Sequence, residues 1–201
     1  MKREEQLSHT HAAILQAARE QFLARGYQAT STREIAKEVG ITQPALYHHF
    51  SDKEVIFLEV IKSVGEEVQQ GILAVNDRLA ATDQPDPVEA LAAVTEVLTG
   101  VHPRDVFTVI HSSFRFLKPE NKRQLGMVFM QDYLGPLQKF FELGIVTLQP
   151  GLSAQDAASF YLTSLSPLFN SFHHVGPADA SQHDQTLALI RLILFGVAVK
   201  K

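Results

Sequence analysis

Apolar residues recur at intervals of three and four along most of the chain, and no run of alternating β-branched residues interrupts them. That spacing predicts an all-α protein. Ala13, Leu15, Ala17, Ala18, Phe22 and Leu23 set a first helix from about residue 9, closed at Gly26, where a left-handed residue is wanted. Thr32 is expected to cap a short second helix, with Ile35, Ala36 and Val39 on one face and Gly40 ending it. A third helix is predicted from near Thr42 to near Phe50, with Pro44 in its first turn, where a missing N–H costs nothing. Ser51 or Asp52 then caps a long fourth helix through Val55, Leu58, Ile61 and Val68.

The clearest linker is ATDQPDP, residues 81–87. Beyond it the spacing predicts five more helices, at about 88–99, 104–116, 119–148, 153–174 and 183–199. Gly100 with Pro103, Lys118-Pro119, Pro150-Gly151 and Gly176-Pro177 mark the breaks. Pro136 and Pro167 fall inside predicted helices, and each should kink its helix or end it. About nine helices result. They divide into an N-terminal three-helix bundle at 1–52 and a larger helical domain at 53–201, joined by the fourth helix.

Composition narrows the class. The chain has no cysteine, so a disulfide framework, a thiolate metal site and a cysteine nucleophile are excluded. The opening MKREEQLSHTHAAIL never reaches an apolar h-region, which argues against a secretory signal. The longest apolar run, around Leu187 to Val199, contains Arg191 and falls short of the ~20 residues that span a bilayer. A soluble, cytoplasmic protein without a membrane partner is the expectation. The net charge of −4 is unevenly placed: residues 1–62 carry eight Lys/Arg and eight Asp/Glu, whereas 63–201 carry ten and fourteen. The N-terminal part can therefore present a local basic face to nucleic acid, and the remainder is unsuited to polyanions.

The stretch TREIAKEVGITQPALYHHF, residues 32–50, has the form of a helix-turn-helix: two short helices joined by a Gly-containing turn. Ile35, Ala36, Val39, Ile41, Leu46 and Phe50 supply the apolar contacts between the helices. Thr42, Gln43, Pro44, Ala45, Tyr47 and His48 remain outward. That face is polar, aromatic and free of Lys and Glu, which suits hydrogen bonding to base edges and phosphates.

From about Ala12 to Leu58 the chain resembles the tetracycline-repressor (TetR) family of bacterial transcriptional regulators. The matching residues are Phe22, Gly26 and Tyr27; Thr32, Ile35 and Ala36; Val39-Gly40-Ile41; Leu46-Tyr47-His48-His49-Phe50; and Asp52-Lys53-Glu54. The resemblance implies a DNA-contacting role for ten residues. Thr32 matches a phosphate contact at a helix N-terminus, and Arg33 a position that can reach guanine O6 and N7. Gln43 matches a base-edge reader, and Pro44 and Ala45 match contacts to a thymine methyl. Tyr47, His48, His49 and Lys53 match phosphate contacts. Thr42 and Ala45 are short, which leaves the base code open. Two alternatives stand beside these roles: Tyr47 lying against the first helix, and Arg33 pairing locally or lying in solvent. Metal binding by His48-His49 is disfavoured, because adjacent helical side chains point ~100° apart.

Ten of the thirteen Phe lie from Phe107 onward. Phe107, His111, Phe114, Arg115, Met127, Met130, Tyr133, Phe140, Tyr161, Phe169 and His173 combine rings, thioethers and a few polar heads, as a small-molecule pocket requires; ordinary core is the competing reading for each. The resemblance implies that an effector cavity lies between the helices bearing them. The eighth and ninth predicted helices (153–174 and 183–199) are apolar on more than one face, and the resemblance implies that they form a homodimer interface. Two-fold symmetry then implies a palindromic operator with half-sites ~34 to 36 Å apart or slightly more. The chain has no His-Glu-x-x-His, Gly-x-Ser-x-Gly or Gly-rich phosphate loop, so enzyme chemistry has no support, and no cofactor is expected. The function implied is a ligand-responsive repressor, or an activator or co-repressor-dependent regulator of the same fold.

Overall fold

The computed structural model describes residues 2–169, 175–176 and 179–196. Among them every regular element is helical. In chain order these are α1 (Lys2–Arg25), α2 (Thr32–Val39), α3 (Gln43–Tyr47), α4 (Lys53–Ala80), α5 (Pro87–Val101), α6 (Val106–Phe114), α7 (Pro119–Val128), a π-helical segment (Phe129–Leu134), α8 (Gly135–Glu142), α9 (Ala154–Ser164), a 3-10 turn (Ser166–Phe169) and α10 (Gln182–Phe195). With α7, the π segment and α8 counted as one continuous run, the described residues hold nine helices. None is long and apolar enough to cross a membrane.

The chain forms two compact units. The first combines residues 1–64 with 106–128, so it holds α1 to α3, the start of α4, α6 and α7; the second combines 65–105 with 129–201. In the first unit Ile14, Ala18 and Phe22 of α1, Ile35 and Ala36 of α2, Leu46 of α3 and Ile56 and Phe57 of α4 are buried together as its core. Phe22 meets Phe57 edge-on at 5.1 Å, and His11 stacks on Phe50 at 4.4 Å.

Helix α1 begins some seven residues before its apolar period. The leading segment is rich in Lys, Arg, Glu and Gln, strong helix formers that need no buried face. Helix α2 is capped by Ser31, one residue earlier than expected, whose hydroxyl accepts from the Glu34 N–H at 3.2 Å. Thr32 is therefore the first helical residue and is buried. Gly40 closes α2 at φ +76°, where a Cβ is disfavoured, and its N–H reaches back to the α2 carbonyls. Asp52 caps α4 through the Val55 N–H at 3.0 Å.

In the second unit α5 packs on α10, and α8 on α9 and the π segment. Pro136 does not end its helix. It lacks an N–H and its ring would press on the carbonyl four residues back, and the chain accommodates both by a wider π turn immediately before it. Pro167 does end one: α9 stops at Ser164 and a 3-10 turn follows. Gly71 permits a close approach of α4 to α5, since a Cβ there would lie 2.6 Å from Val97 Cγ1. Gly71→Ala is expected to destabilise the protein by about 1–3 kcal/mol, measured by urea unfolding; a neutral result would mean that Val97 turns aside freely.

Candidate nucleic-acid interface

The local chemistry of residues 31–53 builds one polar surface on the first unit. The α2 end and the turn at Gly40–Thr42 are fixed by the Ile41 N–H donating to the Ala36 carbonyl at 2.9 Å. Thr42 caps α3, its hydroxyl accepting from the Ala45 N–H at 3.2 Å. Pro44 sits in the first turn of that helix. Leu46 is buried beneath it and holds the five-residue helix against α2.

Above this floor three side chains from the two helices are linked. Gln43 Nε2 donates to Thr32 Oγ1 at 2.9 Å, and the same hydroxyl shares a 3.1 Å hydrogen bond with the Tyr47 phenol. Thr32 thus binds α2 to α3 instead of standing open at a helix end. Tyr47 faces outward, 44% exposed, with its phenol on α2 rather than on α1. Arg33, Thr42, Pro44 and His48 are exposed, and Gln43, Ala45 and His49 are half-buried. His49 lies beside the His11 ring, 6.2 Å between centroids, and His11 Nε2 is 3.3 Å from Glu59 Oε2. Among the described residues no group of three such side chains is placed to hold a metal.

Lys53 opens α4 with its ammonium 4.3 Å from the centre of the Tyr27 ring, and burial holds its pKa below the usual lysine value. The Tyr27 phenol is pushed up to about 12, by burial first and then by the Glu54 and Asp52 carboxylates. Those two acids, one on each side of Lys53, are engaged elsewhere. Lys118 Nζ meets Asp52 at 2.9 Å, the Lys118 N–H donates to Glu54 at 3.0 Å, and Asn121 Nδ2 donates to the same carboxylate. Asp52 is held below the usual carboxylate range chiefly by its hydrogen bond to Lys118. A carboxyl depressed in this way keeps its contribution above its ordinary pKa and loses it as pH falls through the lowered value. Lys118→Ala is expected to raise the Asp52 pKa toward the ordinary carboxylate range, followed by NMR titration; an unmoved value would assign the shift to the backbone.

The candidate effector residues are divided between the units. In the first, His111, Phe114, Arg115 and Met127 are exposed. In the second, Tyr133, Phe140 and Tyr161 are fully buried, Phe169 is half-buried and Met130 is exposed. The Phe107 side chain and His173 lie outside the described residues.

Two buried polar pairs mark the interior of the second unit. Tyr133 shares a 2.8 Å hydrogen bond with His102 Nε2, and Tyr161 one of 2.8 Å with Thr95 Oγ1. Burial pushes the Tyr161 phenol well above its ordinary value, against the opposing hydrogen bond from Thr95. Asn76 of α4 donates to the Pro136 carbonyl of α8 at 3.0 Å, also buried. Sequence reasoning missed His102, which sits between the break-forming Gly100 and Pro103; its role depends on a tyrosine 31 residues away. Tyr133→Phe is expected to cost about 1 kcal/mol by removing the buried hydrogen bond to His102, read by urea unfolding.

A capped α2, a glycine turn and a short α3 whose outer face is polar and uncharged define a helix-turn-helix DNA-binding protein. Residues 14–60 match the family model described as bacterial regulatory proteins, tetR family. Across 177 residues the chain is 27% identical to the HTH-type transcriptional repressor BepR of Brucella suis biovar 1 (strain 1330), covering 83% of this chain and 82% of BepR. Its fold is shared by a TetR-family regulator from Agrobacterium tumefaciens, at TM-score 0.71 and 22% identity over 96% of this chain and 100% of that one. It is shared too by AibR, solved with isovaleryl coenzyme A and operator DNA, at TM-score 0.65 and 22% identity over 93% and 98%. The N-terminal region of the chain is thus similar to bacterial regulatory proteins of the tetR family, and along most of its length the chain is similar to a transcriptional repressor.

Proposed function

We propose that this regulator is a repressor that binds a palindromic operator as a homodimer and is released by a small, largely apolar molecule. The observation that carries the reading is the α2–α3 face, where Gln43 and Tyr47 bond the Thr32 hydroxyl and Arg33 and His48 are exposed on the same capped pair of helices. BepR, a repressor, supports the sign of control. The DNA-binding role falls to residues 1–52 and the effector and dimer roles to 53–201. Such a protein works in the cytoplasm and needs no catalytic chemistry.

Tyr47, His48, His49 and Lys53 serve as phosphate contacts, Arg33, Thr42, Gln43, Pro44 and Ala45 meet bases, and the buried Thr32, expected from the sequence to touch a phosphate, instead holds Gln43 and Tyr47 in place through its hydroxyl. One amide N–H of Gln43 is donated to Thr32, which leaves the second N–H and the carbonyl oxygen for a base edge such as adenine N7 and N6. The effector site lies among Tyr133, Phe140, Tyr161 and Phe169, where an apolar interior contains two hydroxyl-bearing rings. An apolar ligand with one polar group matches that interior, and the isovaleryl thioester held by AibR is one example of such a molecule. The dimer forms through α9 and α10, whose Phe160 and Phe195 are 59% and 65% exposed.

Selection of bound duplexes from a random-sequence library is expected to return an inverted repeat. Fluorescence anisotropy on that repeat, with and without ligands found by thermal shift, tests release. Recovery of non-palindromic DNA would remove the homodimer reading. Ligands that stabilise the protein but tighten operator binding would favour a co-repressor-dependent regulator.

A further inference from the structure

The first unit contains a cleft whose lining includes none of the residues proposed to meet the operator. The turn after α1 and the turn after α6 enclose about 360 Å³, lined by Arg25, Tyr27, Gln28, Ser112, Arg115 and Phe116 together with two small residues. None of the lining side chains is acidic, and two are guanidinium groups brought from positions ninety residues apart. The Arg115 guanidinium lies over the Phe116 ring, 4.7 Å from its centre. Stacked in that way, a guanidinium still presents its N–H edge to a bidentate acceptor. Among the described residues no carboxylate is within ion-pair distance of Arg115. Arg25 reaches Glu34 at 3.7 Å, with both side chains more than half exposed. Exposed pairs of that length contribute little, so an incoming anion displaces Glu34 readily.

The remaining walls complete the chemistry. Phe116 is 38% exposed and offers a ring face. Tyr27 packs edge-on to Phe57 at 4.9 Å, which fixes its position at the cleft. The volume lies at the small end of ligand pockets and accommodates an aromatic ring with two acid groups. Two cations facing one opening repel each other, and a dianion between them removes that repulsion while making charge-assisted hydrogen bonds.

We propose that this cleft binds a small dianion with a planar apolar body, an aromatic dicarboxylate or aryl phosphate, clamped between Arg25 and Arg115 with its ring against Phe116. Its lining shares no residue with Tyr133, Phe140, Tyr161 and Phe169, proposed above for the effector. It joins the turn that leads into α2, and so to Thr32 and Arg33, with the end of α6 in the same compact unit. The DNA-binding unit thereby carries an anion sensor of its own.

The full-length protein is titrated calorimetrically with phthalate at fixed ionic strength, alongside Arg25→Gln, Arg115→Gln, the double variant and Phe116→Ala. Saturable binding of one phthalate per subunit is expected, about tenfold weaker in each single arginine variant and lost in the double variant. Near-UV circular dichroism checks that each variant is folded. Succinate is expected to bind wild type more weakly than phthalate, and Phe116→Ala to remove that preference. Binding that never saturates in wild type, or is unchanged in the folded arginine variants, overturns the proposal. Duplex DNA affinity, measured without phthalate, distinguishes the other source of acidic oxygens. It is expected to be unchanged in Arg25→Gln and Arg115→Gln, and a loss there would assign both guanidiniums to the DNA backbone and overturn the small-anion site.

Discussion

A protein carrying Leu192→Glu together with Phe195→Glu is expected to sediment as a folded monomer and to lose about 10²- to 10⁴-fold in operator affinity. Both positions lie on α10 and keep solvent exposure in the subunit, 39% and 65%, so the charges are hydrated in the monomer. In the proposed dimer they would be stripped of water and unpaired, at a cost of several kcal/mol. The DNA effect follows because a dimer places its second helix-turn-helix at high effective concentration once the first has bound. The choice of residue decides what is tested. Ile190 on the same helix is fully buried within the subunit, so Ile190→Glu is expected to unfold the chain and say nothing of the interface. Analytical ultracentrifugation with circular dichroism checks the double variant; a persistent wild-type-like dimer would place the interface away from α10.

The second large effect is expected at the DNA surface. Arg33→Ala and Gln43→Ala should each relax discrimination at particular base pairs, by about 1–3 kcal/mol for a lost bidentate contact. Gln43→Ala is expected to do more than that, because it also withdraws the donor that Thr32 accepts. Lys53→Ala should weaken all sequences alike and reduce the slope of log affinity against log salt by ~1, since a phosphate contact carries no sequence information. Operator and mutated-operator titrations over a range of salt separate the two patterns. A change of base preference in Lys53→Ala, with none in Arg33→Ala or Gln43→Ala, would reverse the assigned roles.

The helical architecture was legible because it is written locally. Gly26, Gly40, Pro44 and the 81–87 linker each carry a backbone preference that needs no distant partner; α1, α2 and α4 end and α3 begins close to where those residues place them, although α3 stops at Tyr47 and not near Phe50. Where the reading slipped, two local signals competed or a distant one was needed. Ser31 and Thr32 are both good caps, and the hydroxyl one residue earlier took the position because Thr32 is buried against Gln43 and Tyr47. The front of α1 has helix propensity without apolar period, so periodicity alone starts the helix too late. At Pro136 the proline signal is correct, yet a π turn immediately before it absorbs it and the helix continues. The outward residues of α3 follow from its length and cap. The pairing of His102 with Tyr133 and the meeting of Arg25 with Arg115 join residues far apart in the chain, and no local pattern announces them.

The hydrogen bond from Gln43 to Thr32 bears on how operator preference can be changed by design. A library that varies position 43 alone leaves the buried Thr32 hydroxyl with its Tyr47 bond, and substitutions that cannot donate to it then carry a weakened α2–α3 joint unrelated to base reading. Exchanges in which the new residue 43 still donates to Thr32, or in which residues 32 and 43 are replaced together by an apolar pair, avoid that defect. Positions 32 and 43 therefore behave as one two-letter character of the recognition code, to be rewritten together.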